Sequence, residues 1–238
     1  MSHGTFVLIH GAFHGGWCWE PVASRLRALG HRVLAPSLTG LADRSHLASF
    51  DVNLSTHIQD VVNLLRWEGL TDVTLCGHSY GGMVIAGAAE QAAADTIRSL
   101  VFLDALIPRD GLALVDYLAP ADSDAASPSL EIDAATGLIA PPPAAAFVSR
   151  DSDREWLEAR LTPQPLGTFT EKLSLAGAFE RVERKTFILC TGESGLPSLR
   201  HQADALRGQP RWQIQEMDCK HDAMIEDPDR VAQLLLEA

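Results

Sequence analysis

Basic residues are scarce in this chain: 19 lysines and arginines stand against 31 aspartates and glutamates, a net charge of −12 over 238 residues. A nucleic-acid binder needs a basic face to neutralise phosphates, and an anionic membrane surface makes the same demand. No Lys/Arg cluster meets it, so neither nucleic acid nor membrane is an expected partner. Long apolar runs are missing too. None approaches the ~18 residues of a membrane-spanning helix, and a strand-like run at Phe6–Ile9 begins where a leader peptide would lie. The cysteines are only four, Cys18, Cys76, Cys190 and Cys219, with no C-x-x-C pair. Three lie in or beside apolar runs and read as small buried hydrophobes. A reducing, cytoplasmic compartment is the expectation. No internal repeat or charge block occurs. What is abundant is apolar residue, 46% of the chain, enough to bury a sizeable core.

Six short apolar runs read as strands: Phe6–His10, Arg32–Ala35, Val73–Cys76, Leu100–Asp104, Thr186–Cys190 and Trp212–Met217. Most are continuous rather than alternating, as strands covered on both faces are. Helical stretches separate them. Glu20–Leu29 opens with Pro21 and stops at Gly30. Thr56 to Glu68 opens with a Thr-x-x-Gln capping box and stops at Gly69. Gly81 to Ala94 is alanine-rich. The last helix starts at Asp227-Pro228, a side-chain cap followed by proline at the first helical position. This alternation predicts an α/β fold: a mostly parallel sheet with helices on both faces. Residues 107–182 break the rhythm. They hold many prolines, no convincing strand, and helical patterns near Asp151–Leu161 and Thr168–Ala178. So long an insertion exceeds a plain connection and predicts a small helical cap, dividing the core into residues 1–106 and 183–238.

Gly77-His78-Ser79-Tyr80-Gly81 fits G-x-S-x-G between the strand Val73–Cys76 and the helix from Gly81. That is the setting of a nucleophile elbow, whose tight turn lifts the serine hydroxyl clear of the sheet. The turn aims the helix N-terminus at the reacting carbonyl, where free N–H groups favour negative charge. An oxyanion hole needs two N–H donors: Tyr80, after the serine, and Ala12, in the glycine-rich loop His10-Gly11-Ala12-Phe13-His14-Gly15-Gly16 after the first strand. His10 and His14 have the spacing of a metal pair, but no third ligand accompanies them, so a loop-ordering role is expected. Of nine histidines, His221 alone follows the last strand and precedes the last helix, where the base belongs. Two acids compete to orient it. Glu193 follows the strand ending at Cys190 and gives the order Ser…acid…His; Asp104 ends the preceding strand and is the alternative. Each of these positions lies just past the carboxyl end of a different strand, the edge where open α/β sheets bind ligands.

With those residues in hand, the chain resembles the methylesterase and hydroxynitrile-lyase branch of the α/β-hydrolases and its bacterial carboxylesterase relatives, including pyrethroid hydrolases. The resemblance rests on Val7-Leu8-Ile9-His10-Gly11-Ala12-Phe13-His14-Gly15-Gly16-Trp17, on Cys76-Gly77-His78-Ser79-Tyr80-Gly81-Gly82-Met83, on Val101-Phe102-Leu103-Asp104-Ala105 and on His221-Asp222-Ala223-Met224. It implies an α/β-hydrolase fold and a catalytic acid two residues after Thr191, which is Glu193. Some bacterial relatives keep an acid at the Asp104 position instead. The lyase members resemble one another in a lysine after the catalytic histidine and a threonine near the oxyanion loop. Here Asp222 and Gly11 stand there.

The expected function is therefore a serine esterase acting through an acyl-enzyme on a small, apolar carboxylic ester, with no metal or organic cofactor. A hydroxynitrile lyase, a cofactor-free dioxygenase and a non-catalytic ligand receptor are the alternatives. Phe13, Tyr80, Trp156 and Met224 are the expected substrate-binding residues, and the expected partner is the small-molecule ester itself.

Overall fold

The computed structural model describes residues 3–93, 95–118, 130–192 and 197–238. Pro120, Pro128 and Glu193 lie outside them. In chain order the elements are β1 (Thr5–Ile9), α1 (Glu20–Ala28), β2 (Arg32–Leu34), α2 (Leu54–Trp67), β3 (Val73–His78), α3 (Gly81–Gln91) and β4 (Ile97–Leu103). A long insertion follows with α4 (Val115–Leu118), β5 (Ile132–Asp133), β6 (Leu138–Ile139), α5 (Asp151–Glu158), β7 (Gln164–Pro165), α6 (Gly167–Thr170) and α7 (Ala178–Arg181). The chain then returns through β8 (Arg184–Cys190), α8 (Pro197–Leu206), β9 (Trp212–Met217), α9 (Ala223–Glu226) and α10 (Pro228–Glu237).

Six strands pair in the order β2-β1-β3-β4-β8-β9, every neighbour parallel. Each strand therefore needs a crossover, and the helices that supply the crossovers cover both faces. One face packs Val7, Ile9, Leu75 and Phe102 against α2 and α3. The other packs Phe6, Leu8, Val101 and Ile188 against α1 and α10. Helix α3 is buried along nearly its whole length, which its glycine and alanine content permits by letting backbones approach closely. Truncating a buried Ile85 there to alanine is expected to cost about 2–5 kcal/mol.

Two local starts follow from capping. Asp227 accepts the Arg230 N–H and Pro228 opens α10, as its sequence predicts. Helix α2 begins at Leu54, ahead of the expected Thr56. Asn53 is the cap, its side chain accepting Thr56 N–H while the Thr56 hydroxyl accepts Asn53 N–H. The box is present, with Thr56 as its second member.

The insertion differs from the all-helical cap that its composition predicts. It carries a three-stranded antiparallel sheet, β5-β6-β7, of two-residue strands. The helix expected over Thr168–Ala178 is broken into α6 and α7. Backbone groups of Leu173 pair with Gly111 and Leu112, and Gly177 takes a left-handed φ of 89°, so the helical bonds are not available between them. Among the described residues, no helix is long and apolar enough to cross a membrane.

Candidate active site

Ser79 sits between β3 and α3 with φ of 53°, the left-handed region that a non-glycine residue avoids. Such a conformation costs of order 1–3 kcal/mol and persists only where its surroundings impose it. They do so here through close backbone approach. A Cβ on Gly77 would lie 2.5 Å from Gly81 O, and one on Gly82 would lie 2.1 Å from Leu106 O. The Ser79 carbonyl accepts Gly82 N–H (3.0 Å) and Leu106 N–H (3.1 Å). The turn is thus held from both sides of the sheet edge.

His221 lies in the loop between β9 and α9, and its Nδ1 is 2.6 Å from Asp104 Oδ2. Asp104 also adopts a left-handed φ, 41°, just past the end of β4. Its N–H donates to Ile188 O at 2.7 Å and its Oδ1 accepts Cys190 N–H at 3.1 Å, so both ends of the residue are tied to β8. Asp104, the alternative acid, thus lies on the imidazole; Glu193, which the order of the chain and the resemblance favour, lies outside the described residues. The turn at residue 104, just past the paired ends of β4 and β8, brings its side chain onto Nδ1. Burial by itself pushes the His221 imidazole down, but the Asp104 hydrogen bond and charge, with Asp222 behind them, outweigh it and raise the pKa above its ordinary value. The His221 carbonyl accepts His78 Nε2–H at 3.0 Å. Burial first, and then the neighbouring His221, hold His78 well below the usual histidine range, so it is a neutral strut. Lys220 turns away, its Nζ donating to Ala145 O at 3.1 Å.

The loop after β1 runs against the elbow. A Cβ on Gly11 would fall 2.8 Å from His78 Nδ1 and 2.9 Å from Ser79 Cβ, so no side chain fits there and Ala12 is brought beside the serine. His10 is fully buried. Its Nδ1 donates to Gly11 O (2.8 Å) and its Nε2 accepts Leu38 N–H (3.0 Å). Burial, partly offset by the Gly11 bond, lowers its pKa to about 3. Since Gly11 C=O and Ala12 N–H share one peptide plane, anchoring the carbonyl faces the N–H the other way. Neither Ala12 N–H nor Tyr80 N–H donates to an acceptor among the described residues. Tyr80 is buried with its hydroxyl 3.0 Å from His57 Nδ1, and His57 is lowered to about 4, chiefly by burial.

Ser79 and His221 open onto a cavity of about 230 Å³ whose other walls include Ala12, Phe13, Tyr80, Leu106, Leu114, Leu118, Phe147 and Phe169. Phe13 and Tyr80, two of the expected substrate-binding residues, line this cavity. Trp156 and Met224 do not. Met224 is fully buried in the core on the face of the sheet away from α2 and α3. Trp156 packs edge-on to Trp17 and under Arg160. Phe147 and Pro142 are wall residues from the insertion that the sequence does not single out; nothing in their local pattern distinguishes them from packing residues. Among the described residues, no group of three or more potential ligands could hold a metal ion.

A parallel sheet whose serine turn, histidine loop and glycine-rich loop converge on one carboxyl edge is the layout of an α/β-hydrolase. The profile of the alpha/beta hydrolase family matches residues 6–234, and the chain belongs to that family. It is 42% identical to a carbendazim hydrolyzing esterase of Nocardioides sp. (strain SG-4G), over 97% of this chain and 98% of the relative. A pyrethroid hydrolase of Sphingobium wenxiniae is 35% identical, over 54% of this chain and 45% of the relative. Among solved structures, an extracellular α/β-hydrolase from a Paenibacillus species superposes with a TM-score of 0.80 at 27% identity, covering 99% of this chain and 98% of that one. The chain is an ester hydrolase of this family.

Proposed function

We propose that Ser79 is the nucleophile, His221 the base, Asp104 the orienting acid, and the N–H groups of Ala12 and Tyr80 the oxyanion donors of a serine esterase for small, apolar, uncharged esters. The observation that carries this reading is the 2.6 Å contact of His221 Nδ1 with Asp104, at the rim of an apolar cavity that Ser79 shares. Asp104 keeps the proton on Nδ1 and leaves Nε2 to take the serine proton. Ser79 Oγ attacks the carbonyl, and the charge that develops on its oxygen meets two preorganised donors. His221 passes the proton to the leaving alkoxide, then activates a water that releases the acid from the acyl-enzyme. The described cavity wall carries no lysine or arginine, so a charged acyl or alcohol group has no partner there and a neutral ester is the better fit. Carbendazim is a first compound to assay, because the relative named for it aligns over 97% of this chain. Asp222 in place of a lysine beside His221 argues against cyanohydrin cleavage.

The test is covalent. A fluorophosphonate should label the wild type at one site, and an activated p-nitrophenyl ester should give a burst of one phenolate per chain. Ser79→Ala should abolish both with melting unchanged. Labelling that survives this substitution overturns the assignment.

A further inference from the structure

The mechanism above makes no use of His14 and Asp222, yet they form a fully buried ion pair. His14 Nε2 lies 2.9 Å from Asp222 Oδ2, with side chains 1% and 0% exposed. They come from the two loops that flank Ser79 and are 208 residues apart in the chain. His14 is two residues beyond Ala12, and Asp222 is the residue after His221. We propose that this pair is a latch that positions the oxyanion loop and the histidine loop relative to each other, and that both are positioning residues for the esterase reaction. The proposal rests on the reading of Ser79, Ala12 and His221 given above.

The hydrogen bonds define how the latch acts. A carbonyl only accepts, so His14 Nδ1 donates to Ala12 O at 2.7 Å. Burial opposes the Asp222 charge, but the facing His14, then His78 and His221, keep the carboxyl below the usual aspartate range. An ionised carboxylate only accepts, so Nε2 donates as well. His14 therefore grips Ala12 with one nitrogen and Asp222 with the other. The gripped segment is not relaxed: Phe13, between Ala12 and His14, has φ of 67°. Its N–H donates to the buried Gln164 Oε1 at 2.7 Å, and its carbonyl accepts Thr162 N–H. On the other side, Asp222 N–H donates to Phe147 O at 3.1 Å, which places the latch against the insertion's cavity wall as well. His10 fixes the peptide that carries the Ala12 N–H; His14 fixes the next one and ties it to the base.

A buried pair of this kind stabilises little by itself, because desolvation offsets the attraction. Its effect is geometric, and a shift of about 1 Å in a catalytic group costs about 10²-fold in rate. The loss should fall on the transition state, where the oxyanion and the imidazolium exist together, more than on substrate binding. Asp222 also raises the His221 pKa. Among the described residues, the groups facing His221 include Asp104, Asp222, His78 and the Cys190 thiol; those facing Asp222 include His14, His78, His221, Cys18 and Cys190.

The experiment compares wild type with His14→Gln, Asp222→Asn and the double variant on one p-nitrophenyl ester, after wild type and Ser79→Ala have established the nucleophile. Expected are a 10- to 100-fold fall in kcat for each single variant on the scale of such displacements, with KM within about three-fold. A trifluoromethyl ketone, which forms a tetrahedral adduct on the serine, should weaken in step. Because the two residues act as one unit, the double variant should lose no more than the worse single one. Asp222→Asn should also shift the acid limb of kcat/KM to lower pH, as loss of the charge near His221 requires. If Asp222→Asn leaves His14 unpaired and fails to fold, the double variant, which buries no charge at the pair, supplies the test alone. Additive losses, a change confined to KM, or a lower melting temperature with kcat unaltered overturn the latch. Wild-type activity that disappears with Ser79→Ala would in each of those cases leave the esterase reading standing.

Discussion

Replacing Asp104 by asparagine is expected to stop turnover and leave the fold in place. The carboxylate is held at both oxygens: Oδ1 accepts Cys190 N–H at 3.1 Å, and Oδ2 meets His221 Nδ1 at 2.6 Å. Asparagine keeps one acceptor and gains one donor. Cys190 N–H can only donate, so the amide oxygen stays on it and the NH₂ turns to His221. Nδ1 must then accept, and its proton moves to Nε2, the nitrogen that has to be bare to take the proton from Ser79. Such a tautomer change costs about 10⁴ in kcat, which is about 5.4 kcal/mol of transition-state stabilisation. The substitution also removes the hydrogen bond and charge that raise the His221 pKa. Burial, the force that lowers it, is left less opposed, so the acid limb of the residual kcat/KM should move to lower pH. The assay is a kcat and pH-rate series on a neutral ester for wild type, Asp104→Asn and Glu193→Gln, with thermal melts of each. Glu193→Gln should stay within about ten-fold of wild type, as a substitution outside the triad should. If Glu193→Gln is the inactive variant and Asp104→Asn the mild one, or if Asp104→Asn leaves the acid limb unmoved, the assignment of the acid is wrong.

Further outcomes follow from the same geometry. In wild type the base must be neutral, and its pKa lies above the ordinary 6.5; kcat/KM should therefore begin to fall on acidification from above pH 6.5, and a profile flat from pH 5 to 8 contradicts a histidine base. Ser79→Ala should lose about 10⁶ in kcat, whereas Ser79→Gly, free at φ of 53°, should be equally inactive and more stable by about 1 kcal/mol in urea unfolding. His10 and His57 have folded pKa values of about 3 and about 4, below their unfolded values, so the stability they confer is complete above about pH 6.5 and lost as pH falls through the folded values. Each adds up to about 1.4 kcal/mol per pH unit to that slope, and His57→Gln should flatten the dependence of the urea midpoint between pH 7 and 4. Phe169→Ala should enlarge the cavity and raise the kcat/KM ratio of a bulky to a small acyl ester by at least about ten-fold; an unchanged ratio removes Phe169 from the acyl wall.

Much of the fold is legible in the sequence. Strands buried on both faces leave continuous apolar runs, and all six sheet strands appear near their expected places, with β9 spanning Trp212–Met217 as read. The elbow was legible because its sterics demand small residues at fixed offsets. The acid was not. Asp104 and Glu193 both follow strands at the same edge, and chain order admits either. What brings Asp104 onto His221 is its left-handed turn and its two bonds to β8, and an aspartate in a sequence carries no sign of its φ. Trp156 and Met224 lie off the described cavity wall, and a large apolar side chain looks alike in sequence whether it faces a ligand or the core. The strands β5–β7 were too short, at two residues each, to leave any periodicity.

The crowding at the elbow has a consequence for mutational scanning. Gly77, Gly81 and Gly82 are not among the described cavity walls, yet a methyl on each would meet backbone oxygen at 2.5, 2.8 and 2.1 Å. A library screened for activity alone would mark these three positions as severely as Ser79 and could not tell a broken turn from a missing nucleophile. Protein abundance separates them. Substitutions at the glycines should deplete the folded chain along with activity, while alanine or glycine at Ser79 should leave abundance intact. Plotted against each other, activity and abundance would thus divide the six residues from Gly77 to Gly82 into chemistry at Ser79 and scaffold at the glycines on either side.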